Sequence, residues 1–247
     1  MKAIFVTVIL VLACACSPLQ GNLAWRVREM ALARTPMIAL QGRDEKILLT
    51  LSTQTVQKLL LAHIRITRSA GIQAELLIVE GTDPNAFAGL VNGRRVIGIN
   101  IAMVKLIGED MDEFAALIGH ESAHWAKGHV DLGQTRSSTI QGIGTLIGVG
   151  LGMARIPAAG LITGVGADLV EAAYSRDDER EADALSLEYM IANGFDPQGA
   201  LRLHEKMLAL PGGAPIPFLS THPSGQERIE NLKKLIESKQ NSARPDP

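Results

Sequence analysis

Met111-Asp112-Glu113-Phe114-Ala115-Ala116-Leu117-Ile118-Gly119-His120-Glu121-Ser122-Ala123-His124 carries the most informative pattern in the chain. Asp110 or Asp112 can cap a helix here, and Met111, Phe114, Leu117 and Ile118 give that helix an apolar face. The helix is expected to run to about His129. It carries a His-Glu-x-x-His pattern near its end. Residues four apart lie one turn apart on the same face, so the imidazoles of His120 and His124 can reach one metal ion. Glu121 projects beside them, where a carboxylate can take a proton from water.

A catalytic zinc needs a third protein ligand. One template places a histidine six residues after the second, with a glycine between. It fails, because position 127 is Lys127 and position 130 is Val130. His129 comes one residue early; it is expected to point away around the helix and to be structural. The other template is a glutamate on a later helix, which Glu179-Arg180-Glu181-Ala182-Asp183 fits. Glu179 and Asp183 share a helical face. Glu179 can therefore ligate, and Asp183 can accept the N–H of a ligand histidine and fix its tautomer. Glu181 competes as a ligand, but Leu185 stands four residues after it. A solvated charged face over residues 176–183 is the plain alternative.

Upstream, residues 74–80 read as a strand and Gly81-Thr82-Asp83-Pro84-Asn85 as a turn. Residues 86–91 and 94–100 flank Asn92-Gly93, a strong signal for a tight hairpin. A small antiparallel sheet is expected just before the His-Glu-x-x-His helix. Residues 101–107 read as a short helix ended by Gly108. Residues 23–35 and 45–70 both read as helices. The second is amphipathic through Leu48, Leu51, Val56, Leu59, Leu60 and Ile64, and carries His63 as a packing or surface residue. Downstream, residues 169–193 read as a helix closed by Gly194. Another follows Asp196-Pro197 to about Leu210, with His204 as a surface or packing residue. Thr221-His222-Pro223 leads into a last helix ending near Lys239, with residues 240–247 as a disordered tail.

Hydrophobic residues make up 47% of the chain and aromatics 4%, at a net charge of −2. The core must rest on Ala, Leu, Ile and Val. No basic block or aromatic platform suits nucleic acid, so no nucleic-acid partner is expected. Lys2, the apolar run from Ile4 to Ala13 and the small residues after it have the shape of a secretory signal, too short to span a bilayer comfortably. The chain's two cysteines, Cys14 and Cys16, lie at its boundary. Val11-Leu12-Ala13-Cys14 and Ala13-Cys14-Ala15-Cys16 each resemble a lipobox. Residues 1–16 are therefore expected to form a lipoprotein-type signal, leaving residues 17–239 as a single domain tethered by an N-terminal lipid. A thiolate zinc site is excluded. Residues 139–167 are apolar and glycine-rich, split by Arg155 and Pro157. They read as a packed helix pair or mobile loop, with a membrane-inserted hairpin as the alternative.

The order and spacing of several motifs resemble the gluzincin metallopeptidases that include the CAAX prenyl proteases, HtpX and the Oma-type proteases. The matching residues are His120–His124, Ser175-Arg176, Glu179 with Asp183, Asn85-Ala86-Phe87-Ala88, Gly194-Phe195-Asp196-Pro197, and Ser220-Thr221-His222-Pro223 followed by Arg228-Ile229. The signal-like start places the chain nearer the periplasmic lipoprotein members of the BepA and LoiP kind. It departs at Gly98-Ile99-Asn100-Ile101, where relatives carry a small residue and Gly-Leu-Leu. The resemblance implies a mainly helical α+β zincin-like fold with one zinc ion on His120, His124 and Glu179. It implies Glu121 as the base of peptide hydrolysis and Asp183 as a supporting carboxylate. Substrate is expected to lie along an exposed strand near Asn85, Ala86, Phe87 and Ala88. His222 is expected either to stabilise the oxyanion or to occupy the open metal position and hold the enzyme latent; a helix-start histidine is the plain reading. The implied role is cleavage of misfolded or unassembled proteins on the periplasmic side of a bacterial envelope, as an outer-membrane lipoprotein, with envelope assembly machinery as a possible partner. A chaperone or assembly factor with a silent zinc site is the alternative. An integral membrane protease using residues 139–167 is a third.

Overall fold

The computed structural model describes residues 23–91, 93–130, 174–210, 217–222 and 226–242. The signal segment with Cys14 and Cys16, the glycine-rich stretch 139–167, and residues 243–247 of the tail lie outside the described residues.

Strands β4 (Glu75–Val79), β5 (Ala86–Val91) and β6 (Arg94–Asn100) form where the apolar runs and the turn residues place them. β5 and β6 make the expected antiparallel hairpin, with Ala86 opposite Ile99 and Val91 opposite Arg94. β4 then lies parallel to β6, so the sheet is mixed, and β1 (Ala24–Arg26) adds antiparallel to β4 in the order β1-β4-β6-β5. Side chains alternate between two apolar layers, as the pleat requires. Leu76, Ile78, Ala86, Ala88, Ile97 and Ile99 face the main core. Leu77, Val79, Phe87 and Val96 form a smaller cluster.

Two helices read from the sequence are corrected. Residues 23–35 give β1 and a four-residue helix, α1 (Val27–Met30), because pairing of Trp25 with Ile78 wins over the local pattern. Residues 45–70 are not one helix. Residues 47–52 form β3 (Ile47–Ser52), a hairpin with β2 (Met37–Gln41), and helix α2 (Thr53–Ser69) starts only afterwards. Ser52 marks the boundary: its hydroxyl accepts the Thr55 N–H at 2.9 Å, capping α2.

Asn100 ends β6 and organises the turn around it. Its Oδ1 accepts the N–H of Asn85 at 3.1 Å and that of Met103 at 2.8 Å, capping α3 (Ile101–Ile107). Its Nδ2 donates to the Asp83 carbonyl at 2.6 Å. A Cβ on Gly81 would lie 2.4 Å from that nitrogen, so the glycine leaves room for the amide. Within Gly98-Ile99-Asn100-Ile101, Asn100 thus makes a three-way polar tie.

Helix α4 (Met111–Ala126) is capped by Asp110, which accepts from the N–H groups of Asp112 and Glu113. Every residue from Glu113 to Trp125 is buried. A helix buried all round must be central, and α4 packs on α2, on α5 (Arg176–Ala192) and on α6 (Gln198–Leu208). Ser175 opens α5 with a reciprocal capping box to Asp178. The short α7 (Pro217–Thr221) and the long α8 (Gln226–Ser242) complete the described chain. α8 therefore extends past the expected end at Lys239, through residues 240–242. Among the described residues no helix is long and apolar enough to cross a membrane.

The contact between α4 and α5 is tightest at Gly119. A Cβ there would lie 2.6 Å from Ser186 Oγ and 3.2 Å from Ser186 Cα. Ser186 Oγ donates to the Ala116 carbonyl at 2.9 Å and holds the helices together at this level. Gly119→Ala is expected to cost about 1–3 kcal/mol by overpacking, read as a lower urea midpoint. Combining it with Ser186→Gly should recover part of the loss, as a contacting pair requires.

Candidate metal centre

His120 and His124 stand one turn apart on α4, immediately after the close approach at Gly119. That approach sets the first turns of α5 against them. The Nε2 atoms of His120 and His124 are 3.0 Å apart. Glu179 Oε2 lies 3.4 Å from His120 Nε2, and its Oε1 lies 3.3 Å from His124 Nε2. His222, just after α7, brings Nδ1 to 2.9 Å from Glu179 Oε1 and 3.2 Å from His120 Nε2. These four buried residues offer ligand atoms within 4.8 Å of one another. Zinc bonds of about 2.0–2.1 Å in a tetrahedron place neighbouring donors about 3.3 Å apart, so spacings of 2.9–3.4 Å fit that ion.

The electrostatics favour a cation at the same point. Burial pulls the His120 imidazole down and Arg228 adds to that opposition, but Glu179 and Asp183 together push His120 up to about 9. Burial holds His124 neutral, the form that ligates a metal. Burial also opposes ionisation of Glu179, yet His120 and His222 hold its carboxyl far below the usual range.

Glu121 is fully buried, and neither of its carboxylate oxygens has a hydrogen-bond partner among the described residues. Oε1 lies 3.4 Å from His222 Nε2. Burial raises its proton affinity, only partly offset by His222 and His120. An unsatisfied buried carboxylate beside converging donors is what a proton acceptor for a water molecule needs.

Asp183 lies one turn after Glu179, and its Oδ1 is 3.1 Å from His120 Nδ1. Sequence reasoning assigned it this place. It assigned no role to Arg228 on α8, which holds Asp183 in a fork: Nε to Oδ2 at 2.5 Å and Nη2 to Oδ1 at 2.7 Å. Arg228 Nη1 is also ion-paired with Glu179 Oε2, without hydrogen-bond alignment. The guanidinium thus compensates two buried carboxylates at once. Its signal in the sequence was the Arg228-Ile229 motif match alone, since no local spacing links α8 to α5.

His129 is corrected. It does not point away around α4, because α4 ends at Ala126 and Gly128 adopts φ +70°. A left-handed residue takes the chain off the helical path. His129 Nδ1 then comes to 3.0 Å from His124 Nδ1, and its ring is buried. Glu181, the competing ligand, lies away from the donor set and meets His129 Nε2 at 3.2 Å. His204 is buried behind His120, and burial followed by Arg228 pushes it down to about 3, so it stays neutral. His63, on α2, is buried and joins no metal-donor group among the described residues.

Asn85, Ala86, Phe87 and Ala88 are buried, at 0–6% exposure, so the strand expected to be exposed is not. The side chains of Ala86, Phe87 and Ala88 fill the two apolar layers; the Phe87 ring occupies the space above Gly98, where a Cβ would lie 2.3 Å from it. In the described sheet β5 is the edge strand, with β6 as its one neighbour.

The profile of Peptidase family M48 matches residues 51–236. The chain is 32% identical over 174 residues to the mitochondrial metalloendopeptidase OMA1 of Arabidopsis thaliana, covering 69% of this chain and 33% of that protein. It is 27% identical over 157 residues to the metalloprotease YcaL of Escherichia coli (strain K12), covering 64% and 60%. It is 26% identical over 215 residues to the beta-barrel assembly-enhancing protease of the same strain, covering 83% and 43%. The chain spans about a third to three-fifths of the length of these relatives.

Arg228→Leu is expected to destabilise the fold by about 3–5 kcal/mol, because it leaves two carboxylates buried without their cation. Arg228→Lys keeps the charge but loses the fork and should recover only part of the loss. Urea unfolding of the metal-free proteins reads both.

Proposed function

Because the chain belongs to Peptidase family M48, we propose that it is a zinc-dependent endopeptidase acting on misfolded or unassembled proteins of a bacterial envelope. The observation that carries this reading is Glu121: a buried carboxylate, unpartnered by hydrogen bonds, against four converging metal donors. Zinc, when bound by His120, His124 and Glu179, supplies Lewis acidity at the scissile carbonyl and makes water easier to deprotonate. The chain's own groups do the rest. Glu121 takes the proton from the attacking water and delivers it to the leaving amine. Asp183, held by Arg228, accepts the His120 Nδ1–H and so keeps Nε2 free as a donor. Substrate pairs as an added strand with the outer edge of β5, once that edge, 0–6% exposed at Ala86–Ala88, is uncovered, through backbone hydrogen bonds that tolerate many sequences.

His222 is the fourth donor in this arrangement. Four protein ligands close a zinc site, whereas a catalytic site keeps one position open. The spacing of His222 to Glu179 and His120 supports a resting enzyme held latent, with His222 withdrawing when substrate enters. The envelope setting rests on the signal-like residues 1–16 with lipobox cysteines Cys14 and Cys16. It also rests on similarity to an Escherichia coli protein named a beta-barrel assembly-enhancing protease. The closed donor set also supports a second reading, an assembly factor whose peptidase is silent at rest.

Casein cleavage by the full chain separates these readings. Glu121→Gln should retain one zinc per chain and lose cleavage by about 10²–10⁴-fold, the usual contribution of a general base. Full function with cleavage absent in both proteins would favour the assembly factor. His222→Ala should raise basal cleavage and bind zinc less tightly. Unchanged activity together with unchanged metal affinity would remove His222 from the site.

A further inference from the structure

The two α4 histidines are supported in different ways. His120 Nδ1 meets a buried carboxylate, Asp183, at 3.1 Å. His124 Nδ1 meets another imidazole, His129 Nδ1, at 3.0 Å. His129 Nε2 in turn lies 3.2 Å from Glu181 Oε2, while Lys127 Nζ holds the other oxygen of that carboxylate at 2.6 Å. Asp178 is nearby, with Oδ1 at 3.6 Å from His129 Nε2, but its Oδ2 accepts the Ser175 N–H in the capping box of α5.

The proton placement along this chain follows from elementary valence. A metal-ligating His124 gives its Nε2 lone pair to the ion, so its Nδ1 must carry the hydrogen. Two imidazole nitrogens at 3.0 Å need one donor and one acceptor, so His129 Nδ1 must be bare. A neutral His129 then carries its hydrogen on Nε2, where Glu181 accepts it. Each link dictates the next, and every geometric requirement is met by the described atoms.

We infer that His129 is a positioning residue for the metal centre. It fixes the tautomer and ring orientation of His124 through its Nδ1 and is itself oriented by Glu181 and Lys127. This rests on His124 being a ligand, and it adds a relay that runs to the protein surface, since the Glu181 side chain is 44% exposed. The buried Asp183–Arg228 pair sets one ligand, and the exposed Lys127–Glu181 pair sets the other through an imidazole. The sequence conceals this role, because on an uninterrupted helix His129 would face elsewhere; Gly128 brings it back.

The test is Zn²⁺ affinity of the full chain, measured by competition with a chelator. His129→Leu is expected to weaken zinc binding by about 10–100-fold, the usual cost of losing a group that orients a ligand. His129→Asn presents an amide oxygen near the Nδ1 position and should recover most of that loss. Glu181→Leu should weaken binding in the same direction, by less. Unchanged zinc affinity in His129→Leu overturns the inference, and so does an Asn variant that binds as weakly as the Leu variant. If His129→Leu fails to fold by circular dichroism, the Asn and Glu181→Leu proteins decide, and full-strength binding by Glu181→Leu then counts against the relay. A His124→Ala control keeps the two readings apart: undiminished zinc affinity there removes the ligand assignment itself.

Discussion

The approach of α4 to α5 at Gly119 and Ser186 is the constraint on which the site depends. His120 and His124 come from one helix and Glu179 from another, separated in sequence by more than a fifth of the chain. Only helices whose backbones nearly touch can converge three such side chains, and a glycine on α4 with a serine on α5 allows it. The same contact brings Asp183 beneath His120. α8 then closes the arrangement from behind, because Arg228 neutralises carboxylates that burial would otherwise leave uncompensated. Metal donors, supporting carboxylate and guanidinium are therefore one electrostatic unit: four negative or neutral donors arranged for a cation, and one fixed cation that balances the residue of charge.

The sheet has a different part. Its strands alternate between two apolar layers, so β4, β5 and β6 are held rigidly beside α4. Trp125, near the end of α4, donates its indole N–H to the Val96 carbonyl at 3.1 Å and ties the helix directly to β6. Asn100 fixes the start of β5 and of α3 with one side chain. The side chains of β5 are thus spent on the two apolar layers. Any substrate contact at Ala86–Ala88 has to run through backbone groups rather than through those side chains.

Where local signals were strong the sequence was legible. Asn92-Gly93 announced the hairpin, Asp110 or Asp112 the start of α4, and the spacing of His120, His124, Glu179 and Asp183 anticipated which residues would meet in space. Failures came where tertiary pairing overrode local pattern. Residues 47–52 carry leucines that suit a helix as well as a strand, and only pairing with β2 decides for the strand. Residues 24–26 are strand because β4 offers an edge. His129 was misplaced because a helical wheel assumes an unbroken helix, and Gly128 breaks it. Arg228 lies 45 residues from Asp183, a long-range pair that no periodicity can reveal.

Two helices, α4 and α5, bring the donors of one metal site together. The zinc content of the purified full chain, compared with that of Glu179→Ala, tests this most directly. One zinc per chain is expected in the unaltered protein and loss of tightly held zinc in the variant, with both proteins folded. Zinc absent from the unaltered protein, or retained at full affinity without Glu179, would contradict it.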